Sequence, residues 1–258
     1  MVESSSKKLL VIQHLFKNFG GIHAIKDFNL NVNSGDLVGI IGPNGAGKTA
    51  LLNTITGFYR ASSGQVFFDE IEITNASINN IALLGVGRTF QNIRLFKRMS
   101  VLENIMVARK KVFKRPVLQL FNRLDHEADL DRAMECLAML NLSDKANKSA
   151  ASLSYGDARR LEIARALTGE PKMLLLDEPA AGMNETETNE LIEDIQLIRS
   201  KVSSIVLIEH DMNLIRSLSD RVVAMDFGLK ICEGSADEVL THPEVMSAYL
   251  GEDEYVVA

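Results

Sequence analysis

The run Gly42-Pro-Asn-Gly-Ala-Gly-Lys-Thr49 limits what this chain can fold into more than any other. An apolar stretch, Leu37–Ile41, leads into it and a helical stretch, Thr49–Thr56, leads out. Strand, glycine-rich turn and helix in that order form the phosphate-binding loop G-x-x-x-x-G-K-[ST] in the context its mechanism requires. Glycines let backbone N–H groups turn inward around phosphate oxygens, and the following helix aims the positive end of its dipole at the same anion. Gly42, Pro43, Asn44, Gly45, Ala46 and Gly47 are therefore expected to cradle a nucleotide. Lys48 is expected on its β- and γ-phosphates and the Thr49 hydroxyl on Mg²⁺.

A second run, Met173-Leu-Leu-Leu-Asp177-Glu178-Pro179, delivers two adjacent acids at the end of an apolar strand. In open α/β sheets ligands bind beyond that end of the strands. Asp177 is expected to hold the metal, directly or through water, and Glu178 to polarise an attacking water. Together the two runs describe a P-loop NTPase, a class that still spans kinases, GTPases, helicases and motors.

Around these runs, short β-rich stretches alternate with helical patterns at both ends of the chain, as in a mostly parallel sheet covered by helices. Strands are expected near Leu9–Gln13, Phe28–Val32, Leu37–Ile41, Met173–Asp177, Ser204–Glu209 and Arg221–Ala224. Between Asn92 and Leu153 strand signals stop, and Leu130, Met134, Leu137 and Leu140 recur at helical spacing. This predicts an inserted helical subdomain, with the two strand-rich blocks building one core.

With 46% hydrophobic and 24% charged residues in 258, the chain has ample material for a core, which excludes wholesale disorder. Its apolar stretches fall far short of the roughly 20 residues that span a bilayer. The first residues carry neither a signal-peptide nor a transit-peptide pattern, so a cytoplasmic location is expected. Cys136 and Cys232 lack partners at metal-ligand spacing and read as small hydrophobes. A net charge of −6 argues against a broad nucleic-acid footprint. The basic run Arg109–Arg115 reads as a solvated helix end before Pro116, with contact to lipid headgroups or an acidic partner as the alternative.

The class narrows at Leu153-Ser-Tyr-Gly-Asp157, followed by Ala158-Arg-Arg-Leu-Glu-Ile-Ala-Arg-Ala-Leu167. This resembles the signature motif of ATP-binding cassette proteins: Ser154 offers a hydroxyl, Gly156 allows close backbone approach, and a helix beginning near Asp157 points its N-terminus at an anion. Further cassette motifs follow in order. Gln91, in Thr89-Phe-Gln-Asn-Ile-Arg-Leu-Phe96, resembles the glutamine that touches Mg²⁺ and water. Ala181-Gly-Met-Asn184 resembles the loop that crosses a dimer interface, and His210, in Ile208-Glu-His-Asp211, resembles the switch histidine. Phe19 stands where an aromatic stacks on adenine. Tyr155, Asp157 and Asn184 depart from the commonest pattern, as does Ala50, where many cassettes carry Ser or Thr.

The resemblance spans about Leu9 to Gly251 and is nearest to ATPase subunits of importers for branched-chain or hydrophobic amino acids. Phe19-Gly-Gly-Ile-His-Ala-Ile25, Gly87–Phe96, Leu153–Arg165 and Asp177–Asn184 carry it. Similar cassettes serve urea or amide import and lipopolysaccharide export. It implies an α/β, RecA-like P-loop core with a mostly parallel sheet, an antiparallel β subdomain and an inserted α-helical subdomain. The implied division is 7–91 and 158–233 for the core, 92–157 for the helical subdomain and 234–258 for a helical tail. It also implies ATP and Mg²⁺ as ligands, with Thr49, Gln91 and Asp177 toward the metal and Glu178, His210 and Gln91 in catalysis. Ser154 and Gly156 would contact the γ-phosphate held by a second ATPase subunit, either another copy or a paralogue. Integral-membrane permease subunits would be direct partners and an external solute-binding protein an indirect one. The chain would sit peripherally at the cytoplasmic face of the inner membrane.

Ala50 yields a direct test. A hydroxyl there is worth on the order of 1 kcal/mol as a hydrogen bond to the α-phosphate. Ala50→Thr is therefore expected to bind labelled nucleotide more tightly than the natural chain; equal or weaker binding by the variant overturns the reading.

Overall fold

The computed structural model describes residues 7–108 and 123–253; the basic run at 109–115 lies outside the described residues. Two antiparallel strands, β1 (Lys8–Phe19) and β2 (Ile22–Asn33), come first, then β3 (Leu37–Ile41) and α1 (Lys48–Ile55) on either side of the phosphate loop. Next are β4 (Ser63–Phe68), β5 (Ile71–Glu72), α2 (Ile78–Leu84) and β6 (Val86–Arg88). Helices α3 (Val101–Met106), α4 (Arg123–Met139) and α5 (Tyr155–Leu167) precede β7 (Met173–Asp177), α6 (Glu185–Arg199), β8 (Ser204–Ile208) and α7 (Met212–Leu218). The described chain closes with β9 (Arg221–Asp226), β10 (Leu229–Gly234), α8 (Ala236–Leu240) and α9 (Pro243–Asp253).

The strands form two sheets. One is antiparallel, in the order β2-β1-β4-β5; the other runs β10-β9-β3-β8-β7-β6, parallel from β9 to β6 with β10 antiparallel at its edge. Every residue of β3, β7 and β8 is buried, as expected for parallel strands covered on both faces. Alternate side chains point to opposite faces. Val38, Ile40, Leu175, Val206 and Val223 pack toward the first sheet and α1. Leu37, Ile41, Leu174, Leu176, Ile205 and Leu207 pack into the helical layer that includes Leu137, Leu161, Leu191 and Leu214. Each such side chain contributes roughly 1.5–3 kcal/mol by leaving water. β3, from early in the chain, lies between β8 and β9 from late in it, so the two strand-rich blocks share one core.

The elements differ from the sequence expectations in specific ways. β1 continues past Gln13 to Phe19 through His14, Lys17 and Asn18 because register irregularities re-aim its side chains. His14 sits at φ +48° opposite Asp27 at +46°, and the two side chains meet at 2.7 Å. β4, β5, β6, β10 and α2 have no counterpart among those expectations: β4 begins Ser-Gly-Gln, β6 is Val-Gly-Arg, and β10 is only partly covered, so none carries a clear alternation. Helix α5 starts at Tyr155 rather than near Asp157, because the Ser154 hydroxyl caps it by accepting the Asp157 N–H. It therefore runs through position 157. Cys136 and Cys232 both pack against the apolar helical layer. No helix among the described residues is long and apolar enough to cross a membrane.

Asp69, in the turn between β4 and β5, ties the two sheets together. Its carboxylate accepts from Lys172, just before β7, and pairs with Lys7 at 2.5 Å, just before β1. The hydrogen bond from Lys172, then that from Lys7, lowers its pKa from 3.8 to about 2. A carboxyl depressed on folding stabilises above its unfolded pKa, and that stability is lost as pH falls through the folded value. Between about pH 4 and pH 2 the natural chain is thus expected to lose more unfolding free energy than Asp69→Asn. Parallel losses in urea titrations across that range would refute the assignment.

Candidate functional site

The phosphate loop is shaped by its contacts with neighbouring strands. Gly42 has φ +152°, and a Cβ there would overlap the Met225 carbonyl oxygen of β9. Gly47 has φ +104°, and a Cβ there would overlap the Ala24 carbonyl oxygen of β2. Only glycine meets both demands, so the loop can turn tightly at these two positions. Gly47 precedes α1 without any side-chain cap, which leaves the first N–H groups of that helix for an anion. Lys48 is buried and its Nζ donates to the Gly42 carbonyl at 2.5 Å and the Pro43 carbonyl at 2.9 Å. Asn44, Gly45 and Thr49 are exposed, Ala46 is buried, and Ala50 is half-buried against the first core.

Strand register supplies the opposing groups. Asp177, last in β7, pairs with Ile208, last in β8, so the residues that follow both strands emerge side by side. Glu178 has φ +48°, a conformation that costs a non-glycine residue about 1–3 kcal/mol and that clusters at functional sites. Its N–H donates to the Ile208 carbonyl. Its carboxylate accepts from Gln91 Nε2 at 2.6 Å and meets His210 Nε2 at 2.8 Å. A carboxylate can only accept, so this contact assigns the His210 ring proton to Nε2. Gln91, Glu178 and His210, expected from separate motifs, thus form one hydrogen-bonded chain.

Asp177 is almost completely buried. Its Oδ2 accepts from Arg88 Nη2 at 2.9 Å, while its Oδ1 has no hydrogen-bond partner among the described residues. Burial pushes its pKa up, opposed by Arg88. Arg88 also donates to Asn53 and Thr56 and lies over the Phe90 ring at 5.0 Å. A buried oxygen without a partner is a position that a cation would satisfy. Asp177 Oδ1, the Thr49 hydroxyl and the Gln91 amide oxygen are all oxygen donors, the type that suits Mg²⁺ bound with substrate phosphates.

Besides Arg88, three buried charged groups around the site escaped the sequence reading: Glu209, Arg159 and Glu162. Glu209 accepts the N–H groups of Ala180 at 2.6 Å and His210 at 3.0 Å, which holds both following loops; burial raises its pKa. Arg159 is fully buried and donates to the carbonyls of Phe90 at 2.7 Å and Gln91 at 2.8 Å and to Glu162 at 2.9 Å. Glu162 in turn accepts from Phe90 and Arg94 N–H groups. The Gln91 segment is therefore clasped by helix α5. The local signal for Arg88, Arg159 and Glu162 is a charge inside an otherwise apolar pattern; for Glu209 it is an acid closing an apolar strand.

The signature residues stand elsewhere. Ser154 and Gly156 line a recess of about 240 Å³ with Lys145, Asp157, Met183 and Glu187, and no phosphate-loop residue lines it. The unusual residues are all engaged: the Tyr155 hydroxyl donates to the Ala181 carbonyl at 2.7 Å, Asp157 pairs with Lys145 at 2.7 Å, and Asn184 caps α6 in a capping box with Glu187. Phe19, at the end of β1, is 42% exposed, packed edge-on against Tyr59 with the Lys17 ammonium 4.4 Å from its ring centre.

Comparison with known proteins shows the family and the fold. Residues 25–181 match the family described as "ABC transporter", and residues 230–255 match "Branched-chain amino acid ATP-binding cassette transporter". The chain is 42% identical over 254 residues to the high-affinity branched-chain amino acid transport ATP-binding protein LivG of Salmonella typhimurium, covering 96% of this chain and 99% of that one. Among solved structures it is similar to the ADP conformation of MJ1267, an ATP-binding cassette of an ABC transporter. The TM-score is 0.86 at 32% identity, over 95% of this chain and 100% of that one. A dimeric bacterial ABC transporter cassette, MJ0796, matches with a TM-score of 0.76 at 26% identity, over 88% of this chain and 99% of that one.

The Arg88–Asp177 pair sets a measurable stability. Arg88→Gln strands a buried carboxylate and is expected to cost about 3–5 kcal/mol in urea unfolding at neutral pH. Because burial raises the folded pKa of Asp177, the deficit is full above that pKa and shrinks as pH falls and the group protonates. A loss below about 1 kcal/mol at neutral pH would show that the pair is not what holds Asp177.

Proposed function

The chain belongs to the ABC transporter family as an ATP-hydrolysing cassette, and on that premise we propose that it powers import of branched-chain or other hydrophobic amino acids. The substrate class rests on LivG, whose name is that of a branched-chain amino acid transport protein, and on the match at 230–255. The observation that carries the mechanism is the chain of hydrogen bonds from Gln91 through Glu178 to His210 beside the phosphate loop.

In this reading ATP enters with its adenine against Phe19 and its phosphates against the N–H groups of the loop and α1. Lys48 exchanges the Gly42 and Pro43 carbonyls for the β- and γ-phosphates. Mg²⁺, when bound by Thr49, Gln91 and Asp177, neutralises phosphate charge. Glu178 orients water for in-line attack and receives its proton on the carboxylate. His210 Nε2–H donates to Glu178 and, on closure, to the γ-phosphate, where charge develops.

Ser154 and Gly156 lie in a recess away from the loop of their own chain, which supports their acting on nucleotide held by a second subunit. Closure of two chains head to tail would complete both sites and exclude water. Segments 7–91 and 158–233 act as the nucleotide-binding core, 92–157 as the arm that swings on closure, and 234–258 as a tail. The Arg159 and Glu162 clasp makes the Gln91 segment move with α5. A cleft of about 240 Å³ lined by Gly87, Arg88, Ala108, Glu162 and Arg165 adjoins that segment and is a natural seat for a permease loop. The working subunit would therefore sit peripherally on membrane permeases at the cytoplasmic face, fed from outside by a solute-binding protein.

Glu178→Gln tests the central role. The variant is expected to bind ATP normally, to lose hydrolysis by roughly 10²–10⁴-fold, and to accumulate as an ATP-bound dimer on size exclusion. Near-normal turnover would remove Glu178 from the mechanism. For the substrate, reconstituted vesicles with the cognate permeases should take up leucine in an ATP-dependent way; uptake of urea instead would reassign the cargo.

A further inference from the structure

The C-terminal helix touches the phosphate loop, and no step above uses that contact. The Gly42 N–H donates to the Tyr249 hydroxyl of α9 at 2.7 Å, across 207 residues of sequence. Gly42 stands one residue past Ile41, whose pairing with Ala224 is the last rung of the β3–β9 ladder. The bond therefore falls where strand becomes loop. The same residue is gripped on its other side, since the Gly42 carbonyl accepts from Lys48 Nζ at 2.5 Å.

We propose that Tyr249 is a positioning residue for ATP binding: its hydroxyl keeps Gly42 in place while Lys48 transfers from the Gly42 carbonyl to phosphate. The proposal rests on the phosphate-binding reading of Lys48 given above. When the ammonium leaves, the carbonyl-side grip on Gly42 goes with it, and the N–H grip remains. A cleft of about 790 Å³ lies between the loop and α9, walled by Pro43, Gly45, Phe227, Ile231, Ser247 and Ala248. The outer face of the loop thus has room to relax into. The Tyr249 ring is itself anchored, because it packs against the apolar helical layer and Val245, one turn earlier in α9, is buried. A ring fixed in apolar surroundings with its hydroxyl on one backbone N–H places that group with little freedom.

Tyr249→Phe in the full chain removes the hydroxyl alone. Titrated with a fluorescent ATP analogue, it is expected to bind roughly 3- to 10-fold more weakly, with kcat at saturating ATP changed less than about twofold. Hydrogen exchange in the peptide spanning 40–47 is expected to quicken, while the melting temperature without nucleotide falls by less than it does in Tyr249→Leu. Met246→Ala, on an exposed position of the same helix, is expected to leave all four readings as they are. Tyr249→Leu removes the ring as well and is expected to lower the nucleotide-free melting temperature, which separates packing from the hydroxyl. Unchanged affinity and exchange in Tyr249→Phe overturn the proposal, as does a fall in nucleotide-free melting temperature equal to that of Tyr249→Leu. If the natural chain itself binds no ATP, the phosphate-loop reading fails; if it binds and Tyr249→Phe binds equally, only the role of Tyr249 fails.

Discussion

Parallel pairing of β3, β8 and β7 at a single register decides where each polar group of the site stands. β3 pairs with β8 from Leu37 opposite Ile205 to Ile40 opposite Ile208, and β7 ends with Asp177 opposite the same Ile208. All three strands therefore finish at one edge. The phosphate loop, the pair Asp177-Glu178 and the pair Glu209-His210 leave the sheet there together. A slip of one residue in β7 would exchange Leu174 and Leu176 with Leu175 between the two faces and turn Glu178 away from His210. Burial on both faces forbids that slip, so the apolar core specifies the site geometry indirectly.

Around that edge the chain keeps buried charges in matched sets. Arg88 with Asp177 and Arg159 with Glu162 are nearly inaccessible to water, and each arginine also donates to groups outside its pair. Buried ion pairs add little net stability, because desolvation offsets the attraction. Their consequence here is positional. Arg88 links β6, α1 and β7 behind the carboxylate, and Arg159 links α5 to the backbone of Gln91. The helical segment and the sheet edge are thereby connected through rigid polar contacts at the residues that touch Glu178.

Much of this was legible in the chain itself. The phosphate loop, the strand before it and the acids after β7 are local patterns whose residues act within a few positions of one another. Gln91, Glu178 and His210 were identified from their own motifs, and the fold then joined them. The residues that depart from the commonest pattern, Tyr155, Asp157 and Asn184, are all engaged: a hydroxyl on Ala181, an ion pair with Lys145, a helix cap. What stayed hidden depends on partners far away in sequence. Arg88, Glu209 and Tyr249 read as ordinary residues until the sheet and the last helix bring Asp177, Ala180 and Gly42 to them.

By itself, then, the sequence determined the elements whose periodicity exceeds their turns: the apolar parallel strands, the glycine turn, the long helices, and with them the class of chemistry. It left unread the weakly patterned strands β4, β6 and β10, where edge position and bulges break the alternation that signals a strand. Tertiary structure alone decided which end of which strand faces which loop. It also decided that the signature residues sit apart from the phosphate loop of their own chain, and that α9 reaches Gly42. Local propensity acts over a few residues, whereas register and burial of charge are properties of the assembled core.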